Sequence, residues 1–152
     1  MLIRFLLVLV AVCAAPLAPV AVAANCREAA HALNQRLPAK VDKAELAEIL
    51  ESLNASRNAR LPEKFVTKRQ AQQAGWRPGR DLWRVPALRD KSIGGDRFGN
   101  REGRLPPGDW READLDYKGG HRGAKRLLFS REGMRRVTVD HYQTFVEVPP
   151  CQ

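Results

Sequence analysis

The chain has 152 residues, which suggests a single domain or one domain with a tail. It carries 26 Lys and Arg against 17 Asp and Glu, a formal net charge of +9. Such a basic chain suits a polyanion, whether nucleic acid, an anionic membrane surface or an acidic protein. Three histidines without a Cys-x-x-Cys or His-Glu-x-x-His pattern give no persuasive metal site, and no serine lies in a Gly-x-Ser-x-Gly turn.

The first 24 residues have the pattern of an export signal. Arg4 provides a positive start, residues 5–13 are apolar, and small residues at 21–23 resemble a cleavage site. We therefore predict a signal peptide at residues 1–24 and a secreted product, either extracellular or periplasmic. The apolar run is too short to span a bilayer comfortably, so we expect no stable membrane association after its removal.

The cysteines agree with export. Cys13 would leave with the signal, so that Cys26 and Cys151 would remain as an even pair in an oxidising compartment. Such a pair predicts a disulfide that ties the beginning of the mature chain to its end.

The first half of the mature chain is predicted to be helical. We expect a short helix over residues 25–39 and a stronger one over residues 42–53, which Asp42 caps and whose apolar side chains form one stripe. A third helix is expected between residues 67 and 75, and residues 81–88 are expected to hold one or two further turns.

From residue 91 onward, glycines become frequent and short runs of β-forming residues alternate with turns. The predicted strands lie near Ser92–Arg97, Trp110–Leu115, Arg126–Ser130, Arg135–Val139 and Thr144–Val148. Helices followed by strands predict an α+β fold, in which N-terminal helices pack on a C-terminal antiparallel β-sheet of about five strands.

The polar residues of these strands are suited to acid–base chemistry on RNA. The 2′-hydroxyl of RNA can attack the neighbouring phosphorus, so an enzyme needs only a base, an acid and cations that hold the phosphate. Glu112 and His141 are a workable base and acid, and Arg126 is a candidate cation.

Several sequence blocks occur in the order and at the spacing of a known family. They are Lys91-Ser92-Ile93-Gly94-Gly95-Asp96, Asn100-Arg101-Glu102-Gly103, Trp110-Arg111-Glu112-Ala113-Asp114 and Asp140-His141-Tyr142-Gln143-Thr144-Phe145. With these blocks the chain resembles the barnase-like family of bacterial guanyl-specific extracellular ribonucleases, which belongs to the microbial ribonuclease superfamily. The resemblance runs from about residue 61 to residue 145.

This resemblance implies a role for each matching residue. Glu112 would be the general base and His141 the general acid, while Lys68, Arg122 and Arg126 would bind the phosphate. We expect Asp114 to orient Arg122 or Arg126. No metal and no other cofactor is expected.

The resemblance also implies a guanine site, formed by Phe98, Gly99, Asn100, Arg101, Glu102 and Tyr142. A carboxylate such as that of Glu102 can accept hydrogen bonds from guanine N1–H and N2–H₂, and backbone amides suit the O6 acceptor. The chain departs from the family at two positions. Gly99 stands where barnase-like enzymes commonly have serine, and His121 stands where they have an aromatic residue.

The predicted organisation is a signal peptide (1–24), an N-terminal extension (25–40) and a ribonuclease domain (41–152). The predicted function is a metal-independent endoribonuclease that cleaves single-stranded RNA 3′ of guanosine through a 2′,3′-cyclic phosphate. The alternative is a non-enzymatic basic secreted protein that binds nucleic acid or membranes and is antimicrobial.

The family also implies an acidic, barstar-like inhibitor, and we expect a monomer. Nutrient scavenging and a toxin role both remain open.

Overall fold

The computed structural model describes residues 24–152, so the expected signal peptide lies outside the described residues except for Ala24. Helix α1 spans Cys26–Arg36 and helix α2 spans Lys43–Ala55. The Asp42 carboxylate caps α2 by accepting hydrogen bonds from backbone amides of its first turn. Neither these helices nor any other in residues 24–152 is long and apolar enough to cross a membrane.

Helix α3 spans Lys68–Gln73 and begins with a capping box, in which Thr67 and Gln70 hydrogen-bond each other's backbone amides. Two 3₁₀ turns follow, at Leu82–Arg84 and Pro86–Leu88. The helical elements predicted from the sequence are therefore confirmed, with ends that differ by a few residues.

The sheet has six strands in the order of the sequence. They are β1 (Phe65–Val66), β2 (Ser92–Arg97), β3 (Trp110–Asp114), β4 (Arg126–Ser130), β5 (Arg135–Thr138) and β6 (Val146–Glu147). Strands β2 to β6 pair antiparallel, as predicted, while β1 pairs parallel with β2. Strand β1 was not predicted from the sequence, because two residues are too few to show the alternation of apolar and polar side chains that indicates a strand.

Strand β6 is shorter than the predicted segment 144–148, and the reason is local. The Asp140 carboxylate accepts hydrogen bonds from the backbone amides of Gln143 and Thr144. This binding holds residues 140–144 in a turn, so pairing with β5 begins only at Val146.

The two faces of the sheet have different roles. The main core lies between the sheet and helices α1 and α2, and Ala113, Leu127 and Val137 contribute to it. Successive side chains of a strand point to opposite faces. Glu112 and Asp114 therefore lie on the face away from these helices, and Asp114 pairs across the strands with Arg126.

A disulfide joins Cys26 at the start of α1 to Cys151, with their Cα atoms 4.8 Å apart. Next to it, the backbone amide of Gln152 donates to the carbonyl of Ala24 at 3.0 Å. The expected link between the beginning and the end of the mature chain is thus present, and it anchors the segment that follows β6.

Candidate active site

Glu112 lies at the centre of the sheet face that the helices leave free, and only 6% of the residue is exposed. Lys68 Nζ lies 3.1 Å from its Oε1, and the Tyr142 hydroxyl donates to its Oε2 at 2.5 Å. Burial raises the pKa of the Tyr142 hydroxyl, and the hydrogen bond to Glu112 raises it further. The hydroxyl therefore remains a proton donor to this carboxylate.

Lys68 reaches Glu112 because of the way α3 begins. The backbone amide of Lys68 donates to the Asp96 carboxylate at 2.9 Å. Asp96 pairs with Glu112 across the strands, after a register shift between Gly94 and Asp96. The two glycines of β2 thus lie at an irregularity of the strand, and Asp96 connects β2 to the beginning of α3.

Asp114 binds two arginines. Its carboxylate accepts two hydrogen bonds from Arg122, at 2.6 and 2.7 Å, and Arg126 Nε lies 3.0 Å away without hydrogen-bond geometry. Burial lowers the pKa of Arg122, but the hydrogen bonds and charge of Asp114 outweigh this effect and raise it overall. Asp114 thus binds Arg122 directly, whereas Arg126 Nη1 donates to the carbonyls of Gly123 and Lys125, both at 2.7 Å.

His141 and Tyr142 lie in the turn between β5 and β6, and both have left-handed backbone conformations with φ of 54° and 69°. Asp140 holds this turn through four hydrogen bonds from Thr138, Gln143 and Thr144. The Thr144 hydroxyl is the main reason that the pKa of Asp140 falls to about 2. His141 is exposed, and its ring centroid lies 4.9 Å from that of Tyr142.

A cavity of about 560 Å³ is lined by Tyr142, whose hydroxyl binds Glu112. The six residues expected to bind guanine all line it, namely Phe98, Gly99, Asn100, Arg101, Glu102 and Tyr142. The rings of Phe98 and Tyr142 stack with centroids 5.2 Å apart, so that one aromatic wall of this cavity is fixed to the turn that holds His141.

The loop of this cavity is held by Asn100, which has a φ of 45°. Its side-chain amide donates to the carbonyl of Leu105 at 2.8 Å and its side-chain oxygen accepts from the Leu105 amide at 3.0 Å. Glu102 is 74% exposed at its side chain and forms an ion pair with Arg104 at 2.8 Å. The carboxylate therefore faces solvent and is held by one exposed cation.

A second cavity, of about 500 Å³, is lined by His141. It is lined by His141, Arg122 and Arg126, together with Trp76, Arg80 and His121. Three expected catalytic side chains, those of His141, Arg122 and Arg126, thus line one cavity. His121, singled out only as a departure from the family, lies in the second one.

Sequence reasoning missed several residues that line the first cavity, namely Arg97, Arg104 and Phe145. Phe145 belongs to the block that carries the resemblance and could have been included on that ground, whereas nothing in the sequence singles out Arg97 or Arg104. Within residues 24–152, no three His, Cys, Asp or Glu side chains come together as a set of metal ligands.

Comparison with known proteins identifies the relatives of this chain. A family model described as ribonuclease matches residues 51–149, which include every residue of the site. A ribonuclease of Heyndrickxia coagulans is 46% identical over 95 residues, which cover 60% of this chain and 86% of that protein. Ribonucleases of Bacillus intermedius and Bacillus pumilus are also 46% identical over 95 residues, but the match covers only 58% of each of them.

Proposed function

Because this chain belongs to the ribonuclease family, we propose that it is a secreted endoribonuclease that cleaves single-stranded RNA on the 3′ side of guanosine without a metal ion. RNA cleavage itself follows from the family. The base preference, the metal independence and the roles of individual residues rest on the geometry of the site and on the resemblance described above.

In the first step, Glu112 removes the proton of the guanosine 2′-hydroxyl and the 2′-oxygen attacks the phosphorus. The bond from phosphorus to the 5′-oxygen breaks, and His141 donates the proton that this leaving oxygen requires. The product is a 2′,3′-cyclic phosphate. Water then opens the ring while the two residues exchange roles.

Lys68, Arg122 and Arg126 stabilise the negative charge that builds on the phosphate. Fixed cations contribute most where their position is set before the reaction, because no reorganisation is then needed. Asp114 holds Arg122 by two hydrogen bonds, and the carbonyls of Gly123 and Lys125 hold Arg126. The capped start of α3 fixes the backbone of Lys68. Lys68 also contacts Glu112, so it can turn from the base to the phosphate when substrate binds.

The observation that carries the proposal is the position of Glu112. This buried carboxylate lies between a lysine and a tyrosine hydroxyl, on the same sheet face as the two arginines that Asp114 holds. A carboxylate with only a structural role would not explain three cations, a histidine and two flanking cavities in one place.

RNA cleavage in the presence of EDTA tests the proposal. We expect the parent chain to produce 2′,3′-cyclic phosphates, and Glu112→Ala and His141→Ala each to lose at least about a hundredfold in kcat. Glu51→Ala and His31→Ala are matched controls, because both side chains are exposed on the helices. Full activity in the two site variants would overturn the roles proposed for Glu112 and His141. Absence of cleavage by the parent would instead favour a non-enzymatic nucleic-acid-binding protein.

The guanosine preference depends on Glu102. We expect Glu102→Gln to lower kcat/KM for guanylyl dinucleotides by about tenfold or more and to change adenylyl dinucleotides little, because only guanine donates to this carboxylate. The exposed pair with Arg104 costs little to open. An equal loss with both substrates would argue against a base-reading role, and Glu132→Gln is the exposed control.

The proposal also covers the export of the chain, its domain organisation, its monomeric state and its inhibitor. Residues 1–24 are the export signal, residues 25–40 an extension and residues 41–152 the ribonuclease domain, and the mature chain acts as a monomer outside the cytoplasm. An acidic inhibitor of the barstar kind would suit the basic cleft, because a negative surface is attracted to such a field.

A further inference from the structure

A small cavity lies between the end of helix α2 and the turn that joins β4 to β5. Its volume is about 240 Å³, below the roughly 300–1,000 Å³ of sites for drug-sized ligands, so it suits a small ion. In the described part of the chain, it shares no lining residue with the cavities that Tyr142 and His141 line. We name it the α2 pocket, and its polar lining consists of Asn54, Arg57, Asn58, Arg131, Glu132 and Arg135.

Arg135, on β5, is held in place by two asparagines. Its Nε and Nη2 donate to Oδ1 of Asn58, from Nε at 3.0 Å, and its Nη1 donates to Oδ1 of Asn54 at 2.8 Å. Asn58 is only 4% exposed, and its side-chain amide donates to the carbonyl of Ser130 at 2.9 Å. The position of the guanidinium is therefore set by the protein before any ligand binds.

The charge of Arg135 has no carboxylate to balance it. Among residues 24–152, no carboxylate oxygen lies within 4.0 Å of its guanidinium, and both asparagines are neutral. Burial lowers the pKa of Arg135, as expected of a charge that is partly removed from water. A guanidinium carries five N–H donors, and three of them are donated to the asparagines. Within residues 24–152, one N–H group on each terminal nitrogen therefore remains for a ligand.

Two exposed arginines, Arg57 and Arg131, add positive charge to the α2 pocket. Glu132 also lines it, but its carboxylate accepts a hydrogen bond from the Asp109 amide at 3.4 Å. The pair of Arg131 with Asp109 is exposed and 3.6 Å long, and such pairs contribute little. The C-terminal end of α2 adds roughly half a negative charge. Three arginines therefore leave the pocket positive.

We propose that the α2 pocket binds inorganic phosphate. The two remaining N–H groups of Arg135 donate to phosphate oxygens, since the planar guanidinium matches this anion well, and Arg57 and Arg131 balance the rest of its charge. Asn54, which holds Arg135, also donates to the carbonyl of Cys151 at 3.0 Å. Bound phosphate thus stabilises the place where α2, the β4–β5 turn and the disulfide-linked end of the chain meet.

The test uses the mature chain and two double variants. Arg57→Gln/Arg131→Gln removes the two exposed cations of the α2 pocket. The matched control, Arg27→Gln/Arg89→Gln, removes two exposed arginines that line neither this pocket nor the cavity of His141. Inorganic phosphate replaces chloride at constant ionic strength and neutral pH, so that screening by salt stays the same.

Two backbone amides, followed by NMR, separate this pocket from the active site. Gly133 lines the α2 pocket, and Gly123 lines the cavity of His141, whose proposed role also involves phosphate. We expect the dissociation constant measured at Gly133 to rise at least about tenfold in Arg57→Gln/Arg131→Gln, because hydrogen bonds to charged groups are lost. The response of Gly123 should be the same in all three proteins.

Two further measurements concern the fixed donors and the stability. Arg135→Lys keeps the charge but lacks the planar pair of donors, so it should weaken the binding measured at Gly133 by about tenfold as well. A ligand that binds only the folded state raises its stability. Phosphate should therefore raise the Tm of the parent and the control more than that of Arg57→Gln/Arg131→Gln.

A Gly133 amide that does not respond in the parent, or that responds equally in the parent and in Arg57→Gln/Arg131→Gln, would overturn the inference. A response to a deoxyoligonucleotide but not to inorganic phosphate would show that the pocket binds a nucleic-acid backbone, and the inference would again be wrong. RNA cleavage by the variant should equal that of the control, so these results do not depend on the proposed function.

Discussion

At the residue scale, Asp114 forms ion pairs with two of the three proposed phosphate-binding cations, Arg122 and Arg126. Its side chain is 3% exposed, and those of Arg126 and Arg122 are 4% and 21% exposed. Removing one partner of such a buried group leaves charge that neither water nor another group compensates. The carboxylate therefore serves both the stability of the sheet and the geometry of the site.

We expect Asp114→Asn to lower the free energy of unfolding by roughly 3 kcal/mol, because two buried arginines lose their counter-charge. We expect kcat for RNA to fall by about tenfold or more, because Arg122 loses the carboxylate that orients it. Chemical denaturation and steady-state cleavage measure the two effects. Asp109→Asn is the control, since Asp109 forms an exposed pair with Arg131 at 3.6 Å that is worth less than about 1 kcal/mol. Equal stability of the two variants would contradict this role.

At the scale of elements, the turn between β5 and β6 is built around Asp140. A folded-state pKa of about 2, below the ordinary 3.8, contributes stability that is fully present above pH 3.8 and is lost as the pH falls through about 2. The turn that holds His141 and Tyr142 is therefore expected to loosen in acid.

We expect Asp140→Asn to destabilise the protein at neutral pH by about 1 kcal/mol, since water screens part of the effect at this half-buried site. Activity should fall as well, because His141 and Tyr142 lose a fixed backbone. Thermal unfolding between pH 7 and pH 2 should show that the difference from the parent disappears as the pH reaches about 2. A difference that stays constant over this range would refute the assignment.

The arrangement of these elements also shows which contacts of the site could not be predicted from the sequence. The alternation along β3 indicates that Glu112 and Asp114 share a face, and the capping residues indicate where α3 begins. No local pattern brings Lys68 to Glu112, 44 positions away. That contact depends on the two-residue strand β1 and on the irregularity in β2.

At the scale of the whole molecule, the disulfide closes a loop with a sequence separation of 125 residues. We expect Cys26→Ser/Cys151→Ser to lower the free energy of unfolding by about 4 kcal/mol, mainly because the unfolded chain gains freedom. RNA cleavage at low temperature should be retained, since neither cysteine lines the cavities of the site.

Denaturation with and without a reducing agent checks this expectation. Reduction should destabilise the parent and leave the double-serine variant unchanged. A parent that is equally stable in both conditions would show that the disulfide adds nothing measurable.

The sequence by itself determined the α+β class, the order of the elements, the cysteine pair and the residues that match the ribonuclease family. These features depend on local periodicity, on capping chemistry and on motif order, all of which can be read along the chain. Only the tertiary structure decided that Asp114 pairs with both arginines, that Tyr142 binds Glu112 and that His141 lines one cavity with Arg122 and Arg126. Such contacts join residues far apart in sequence, and their geometry follows from strand register and loop packing rather than from any local pattern.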